Sequence, residues 1–187
     1  MSGLGARTPL WPAAAAGGLG LGMYPTDAAA HLVTTGLGPL YDGLVHFALT
    51  PEDLVPVLAL ALLAGLRGAA HGRRALFVLP TAWLLGGFLG LAIHGGGVSP
   101  VSTSISFVLL GGLVAADVRL PLAATTVLAA LLGLLHGYLN GMAIARPELG
   151  TPGLLGIATA VFALVALAAS LVVPLRAVWS RVHPETA

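Results

Sequence analysis

Cysteine is absent from this chain, and lysine is too; all eight basic residues are arginine. The first absence excludes disulfides, thiolate metal sites and a cysteine nucleophile. Charge of either sign is scarce, at 8% of residues against the roughly 25% of a soluble domain. The formal net charge of +1 excludes a nucleic-acid partner recognised through its phosphates. With only three methionines and no thiol, a soft Cu(I) site is disfavoured. No P-loop, no G-x-S-x-G elbow and no H-E-x-x-H helix occurs, so nucleotide-driven, serine-elbow and zincin chemistry lack their motifs.

What the chain has in abundance is apolar length. Hydrophobic residues make up 57%, and mean hydropathy is +0.97, the composition of an integral membrane protein. Five long apolar segments stand out, at about 53–70, 75–94, 101–117, 120–142 and 153–178. Each is near the ~20 residues that span a bilayer. The expected fold is therefore all-α: a polytopic transmembrane bundle of about five long spans. A sixth piece, residues 36–50, is too short and polar to span and predicts an amphipathic or re-entrant helix ahead of them. The many glycines and alanines suit close helix packing. Residues 1–30 read as a signal peptide: Arg7, a short apolar stretch, then Ala28-Ala29-Ala30 as the cleavage site. Cleavage there leaves 31–187 as one transmembrane domain with His31 at its N-terminus.

Arginine positions orient this arrangement. With five spans alternating, Arg67, Arg73, Arg74, Arg119, Arg176 and Arg181 share one side and Arg146 takes the other. The positive-inside rule makes the first side cytoplasmic and residue 31 periplasmic, in a bacterial inner membrane. Four histidines and three acids then gather on the outer half, His31, Asp42, His46, Glu52, Asp53, His94 and, one and a half turns into the fourth span, His136, while His71, His183 and Asp117 fall on the cytoplasmic side. Asn140 shares the helix face of His136 at i+4. A carboxylate inside a bilayer costs at least ~2.5–3.5 kcal/mol, so such groups mark an ion or substrate path. Imidazole and carboxylate together suit a divalent cation. A plainer role exists for each. In Thr50-Pro51-Glu52-Asp53, threonine is placed as N-cap, proline in the first turn and the acids at the positive end of the helix dipole. His94 precedes three glycines as loop punctuation, and His136 suits a helix–helix hydrogen bond.

Two stretches carry a resemblance. His46-Phe-Ala-Leu-Thr-Pro-Glu52-Asp53 opening a long apolar helix, and His136-Gly-Tyr-Leu-Asn140-Gly within another, resemble the motifs of the HupE/UreJ family of small membrane proteins. The family's first motif is His, five residues, Asp-His; its second is His-Gly-Tyr-Ala-His-Gly. Here Glu52 stands for the Asp, Asp53 for the following His and Asn140 for the last His. The likeness also takes in 72–91 and covers residues 31 to about 175. It implies a divalent metal permease for nickel or cobalt, with His46, Glu52, Asp53 and His136 as ligands and Asn140 as a weaker one. The replacements make that set richer in oxygen, so zinc or copper, or another solute, stays open.

The resulting expectation is a permease, not an enzyme, with no organic cofactor. An outside cation meets His31, Asp42 and His46, then Glu52, Asp53 and His136, with Asn140 and His94 as further ligands or their supports. Expected partners are the metal ion, the lipid bilayer and, as an open option, other copies of the chain in a homo-oligomer; nucleic acid is not among them. The alternative is a non-transporting accessory or metal-sensing protein for metalloenzyme assembly. A third class, a hydrolase pairing His136 with a serine of Ser99-Pro-Val-Ser-Thr-Ser-Ile-Ser-Phe107, such as Ser102 or Ser104, lacks any supporting motif.

Overall fold

Proline and glycine divide the apolar chain into helices. In a computed structural model, which describes residues 34–93, 100–116, 118–146 and 148–182, six helices follow one another: α1 Pro39–Leu49, α2 Pro51–Leu66, α3 Ala69–Ala92, α4 Pro100–Ala115, α5 Leu122–Ala143 and α6 Gly150–Val182. No strand occurs among the described residues. Pro39 and Pro51 sit at the first turns of α1 and α2, where a missing N–H costs nothing. Gly38 and Gly68 precede α1 and α3 at φ 103° and 106°, a region open to glycine and strained for other residues. The proposed cleavage segment 1–30, His31, His94 and the Asp117 turn lie outside the described residues. Everything described falls within one compact unit, residues 32–187.

The helical bundle matches expectation, but the span count does not. Among the described residues, only α3, α5 and the Gly150–Val172 part of α6 are long and apolar enough to cross a membrane unaided. At 16 residues, α2 reaches about 24 Å, short of the ~30 Å hydrocarbon core. It joins α1 instead, bent by 75° at Thr50, and the pair makes a fourth candidate as a broken span or a re-entrant loop. The described α4 is likewise 16 residues long. The structure thus gives three to four candidate spans by length and composition, not five. Hydropathy read the composition of 53–70 and 101–117 correctly, but the helices there are 16 residues each, too short to count as spans by themselves.

Small residues set the packing. α3 and α5 form the closest pair, with backbone against backbone. A Cβ on Gly86 or Gly90 would strike the Leu134 or Tyr138 carbonyl, and one on Gly137 or Gly141 the Trp83 or Gly87 carbonyl. Since lipid tails are as apolar as leucine, this contact and its dispersion energy hold helices together where the hydrophobic effect does not. Gly43 and Gly156 bring α1 against α6 in the same way. α2 threads between, touching α3, α4 and α6 and contributing Val57, Leu60 and Ala64 to a core shared with Leu79, Trp83, Ile157 and Val161. Phe77, Leu85, Val108, Leu131 and Leu171 point outward, as lipid-facing side chains do.

Candidate functional site

Six polar or charged side chains are buried among the described residues, and five belong to one neighbourhood: His46, Asp53, Ser106, His136 and Asn140. Four helices supply them. The sharp turn at Thr50 makes this possible. Its backbone is extended, its hydroxyl bonds back to the His46 carbonyl at 2.7 Å, and its carbonyl accepts from Asp53 and Leu54. Thr50 therefore occupies the N-cap position but gives α2 no side-chain cap. The bend places His46, near the end of α1, beside Asp53, in the first turn of α2.

Asp53 and Glu52 separate at this turn. Glu52 is exposed, whereas Asp53 is 4% exposed and points inward. Asp53 Oδ1 lies 2.7 Å from His136 Nδ1, and Oδ2 accepts from the Asn140 amide nitrogen at 2.8 Å. That nitrogen also donates to the His136 carbonyl at 2.9 Å, so both its hydrogens are used and the amide orientation is set by two acceptors. His136, with no exposed surface, meets Ser106 Oγ through Nε2 at 3.0 Å. Both ring nitrogens are thus partnered, as burial demands. The i, i+4 spacing of His136 and Asn140 lets one carboxylate engage both. Glycines 133, 137 and 141 on the same helix admit α3 close enough for Trp83 to lie against the imidazole, ring centres 5.7 Å apart. Phe47 meets that indole edge-on at 5.9 Å and completes the apolar wall.

Two atoms here lack partners: Asn140 Oδ1 and Trp83 Nε1 are buried with no hydrogen bond. The His46 ring lies close enough to interact with the Asp53 charge and the Asn140 amide. A buried carboxylate backed by a histidine, an amide and a helix N-terminus can hold a cation or a proton, or polarise the serine at the far end of the chain of bonds. Among the described residues no group of three His, Asp or Glu side chains is placed to hold a metal ion.

Of the residues singled out from sequence, His46, Asp53, His136 and Asn140 come together. Asp42 does not join them. Its carboxylate accepts from the backbone N–H and the hydroxyl of Thr35, both at 2.6 Å, and braces the entry to α1. Glu52 stays on the outer side of its turn, while His31 and His94 lie outside the described residues. The Ser–His pair raised as a third class exists, made by Ser106. Its signal was the run of hydroxyls at 99–107 in an otherwise apolar segment, which did not say which serine turns inward. Trp83 and Phe47 had no polar signal to announce them.

Comparison with known proteins returns one finding. The family model described as HupE / UreJ protein matches residues 19–184. No curated protein and no solved structure matches the chain. The family match spans nearly the whole molecule and takes in both motif-bearing helices, and with the apolar helices around the site it identifies the chain as a multi-pass membrane protein that belongs to the HupE/UreJ family.

Proposed function

We propose that the chain is a membrane permease for a divalent transition-metal cation, with Asp53 as the charged centre of its site. The observation that carries this reading is the burial of Asp53 on three polar neighbours with no arginine on it among the described residues: a carboxylate with His136, Asn140 and His46 around it. A carboxylate kept in the core of an apolar bundle is costly, and groups of this kind mark ion and substrate paths. The family is linked to nickel or cobalt transport and to urease and hydrogenase maturation, which makes nickel or cobalt the first ions to test. The ion is cargo here, and no organic cofactor enters. Ligation by His136 requires its Nε2 to leave Ser106 or its Nδ1 to leave Asp53, so loading is coupled to movement of α4 or α2.

For orientation, the arginine bias supports a cytoplasmic C-terminus in the bacterial inner membrane and a periplasmic approach to α1. This alternation requires the bent α1–α2 pair and the short α4 both to cross. Cation uptake into proteoliposomes tests the permease reading: wild type is expected to accumulate Ni²⁺ or Co²⁺, and Asp53→Asn to fall to the protein-free rate. Binding without flux would instead support an accessory or metal-sensing role.

One observation favours a second reading. Asp53, His136 and Ser106 are joined in the order and at the distances of an acyl-transfer triad. Against it, Ser106 lies inside α4, where the surrounding backbone N–H groups are committed to the helix and supply no oxyanion hole. Covalent labelling of Ser106 by a fluorophosphonate, lost in His136→Ala, would favour the hydrolase over the permease.

A further inference from the structure

α3 and α6 lie antiparallel and touch along much of their shared length. A Cβ on Gly87 would strike the Leu154 side chain, and further along the Phe77 and Phe162 rings meet with centres 6.4 Å apart. Toward the N-terminal end of α3 the pair opens into a groove of about 290 Å³. α3 lines it with Gly72, Arg73 and Leu76, and α6 with Ala169, Ser170 and Pro174. Gly72 and Ala169 are too small to fill it. The Ser170 hydroxyl donates to the Leu167 carbonyl at 2.8 Å, and Pro174 has no N–H, so neither offers the groove a free donor. Arg73 is the one charged lining residue. It is exposed, and its guanidinium makes no ion pair or hydrogen bond among the described residues. The groove is thus an apolar slot with an unanswered positive charge.

We propose that this groove holds an anionic phospholipid, its phosphodiester on Arg73 and an acyl chain laid along Leu76 and Ala169 toward the exposed Phe77 and Phe162 rings. An arginine stem lies along apolar surface while its head stays at the polar boundary. The guanidinium meets phosphate oxygens through paired N–H donors. A neutral acyl chain alone would fill the slot and leave Arg73 unanswered, and free phosphate would answer Arg73 and leave the slot empty. Arg74, the next residue, adds positive charge at the same end of α3, and clustered basic residues at a membrane boundary attract anionic headgroups. In the orientation proposed above this end is cytoplasmic, so the lipid belongs to the inner leaflet. The assignment is independent of the permease reading, because the groove shares no residue with the network around Asp53.

Native mass spectrometry of the purified full-length chain tests it, with the chain released from micelles carrying equal amounts of phosphatidylglycerol and phosphatidylcholine of the same acyl chains. Wild type is expected to retain phosphatidylglycerol about fivefold or more over phosphatidylcholine, and Arg73→Gln to lose that preference. Arg74→Gln, the control outside the groove lining, is expected to change retention by no more than about twofold. Ala169→Leu fills the slot without touching charge and is expected to lower phosphatidylglycerol retention about fivefold, with its folding verified by melting. Equal retention of both lipids by wild type, or an unchanged preference in Arg73→Gln, overturns the assignment. Equal losses in Arg73→Gln and Arg74→Gln overturn it too, since they report diffuse surface charge. So does undiminished retention in a folded Ala169→Leu chain, or displacement of the lipid by an equal concentration of inorganic phosphate, because the apolar slot would then contribute nothing.

Discussion

Two adjacent acids, Glu52 and Asp53, meet different fates over a single residue step. A helix turns by about 100° per residue, so one acid faces outward at the N-terminus while the other enters the bundle. The outer acid gains what any acid gains near a helix N-terminus, some 0.3–1 kcal/mol from the dipole. Asp53 exchanges water for His136 and Asn140, an exchange that balances only while both partners remain. Two outcomes follow. Asp53→Ala leaves a buried imidazole and amide without their acceptor and lowers unfolding free energy by about 3–5 kcal/mol in detergent, read from thermal or denaturant melts. Glu52→Gln lowers unfolding free energy by no more than the dipole's ~1 kcal/mol and changes cation affinity by no more than about twofold, because no bond of the buried network passes through it. Equal losses of affinity in Glu52→Gln and Asp53→Asn would contradict this division. How much of it was legible in sequence is clear residue by residue. The i, i+4 pair of His136 and Asn140 announced a common face. Which of the two acids turned inward depended on the bend at Thr50. Ser106 was one hydroxyl among several, and only the packing of α4 on α2 selected it.

At the scale of elements, the glycines do more than loosen the chain. α5 carries its two site residues on the face that also bears Gly133, Gly137 and Gly141, so the contact that seats α3 also seats Trp83 on the imidazole. Gly137→Val is therefore expected to cost about 1–3 kcal/mol through overpacking against the Trp83 backbone and to reduce cation binding as well. Gly111→Ala on α4 is the matched control. Nothing lies within 4 Å of the new Cβ, and replacing glycine in a helix interior stabilises by about 0.5–1 kcal/mol. Comparable destabilisation by both changes would argue that glycine content, not the α3–α5 contact, matters. The helix starts at Pro39 and Pro51 were readable because the prolines mark them, whereas the break at Gly68 was not, since the apolar run 53–70 was read straight through it. Helix count as spans was not readable either, since an apolar window reports composition and is blind to a 75° bend between two short helices.

For the whole molecule, the open geometric variable is whether α4 crosses the membrane. If it does, the arginine-bearing turns at 67–74 and 119 share the cytoplasmic side and the positive-inside pattern holds. If it does not, Arg119 moves to the opposite side from Arg73 and Arg74 and the bias dissolves. The absence of cysteine makes the test clean. A membrane-impermeant maleimide applied to intact cells is expected to label Leu37→Cys, where the native side chain is 70% exposed, and to reach Val118→Cys only after permeabilisation. Labelling of both positions in intact cells would contradict the proposed topology. The same topology puts α1 and the bend at Thr50 on the side from which a cation would arrive, and the buried acid just beyond it.

The central claim is that Asp53 is the charged centre of a cation site. Its most direct measurement is calorimetric titration of the purified chain with Ni²⁺, Co²⁺ and Mn²⁺, wild type beside Asp53→Asn, with intact folding of both verified by melting. Saturable binding of about one ion per chain by wild type, weakened at least roughly tenfold in the variant, is the expected result. Affinity unchanged by the substitution, or no binding by a folded wild-type chain, would contradict it.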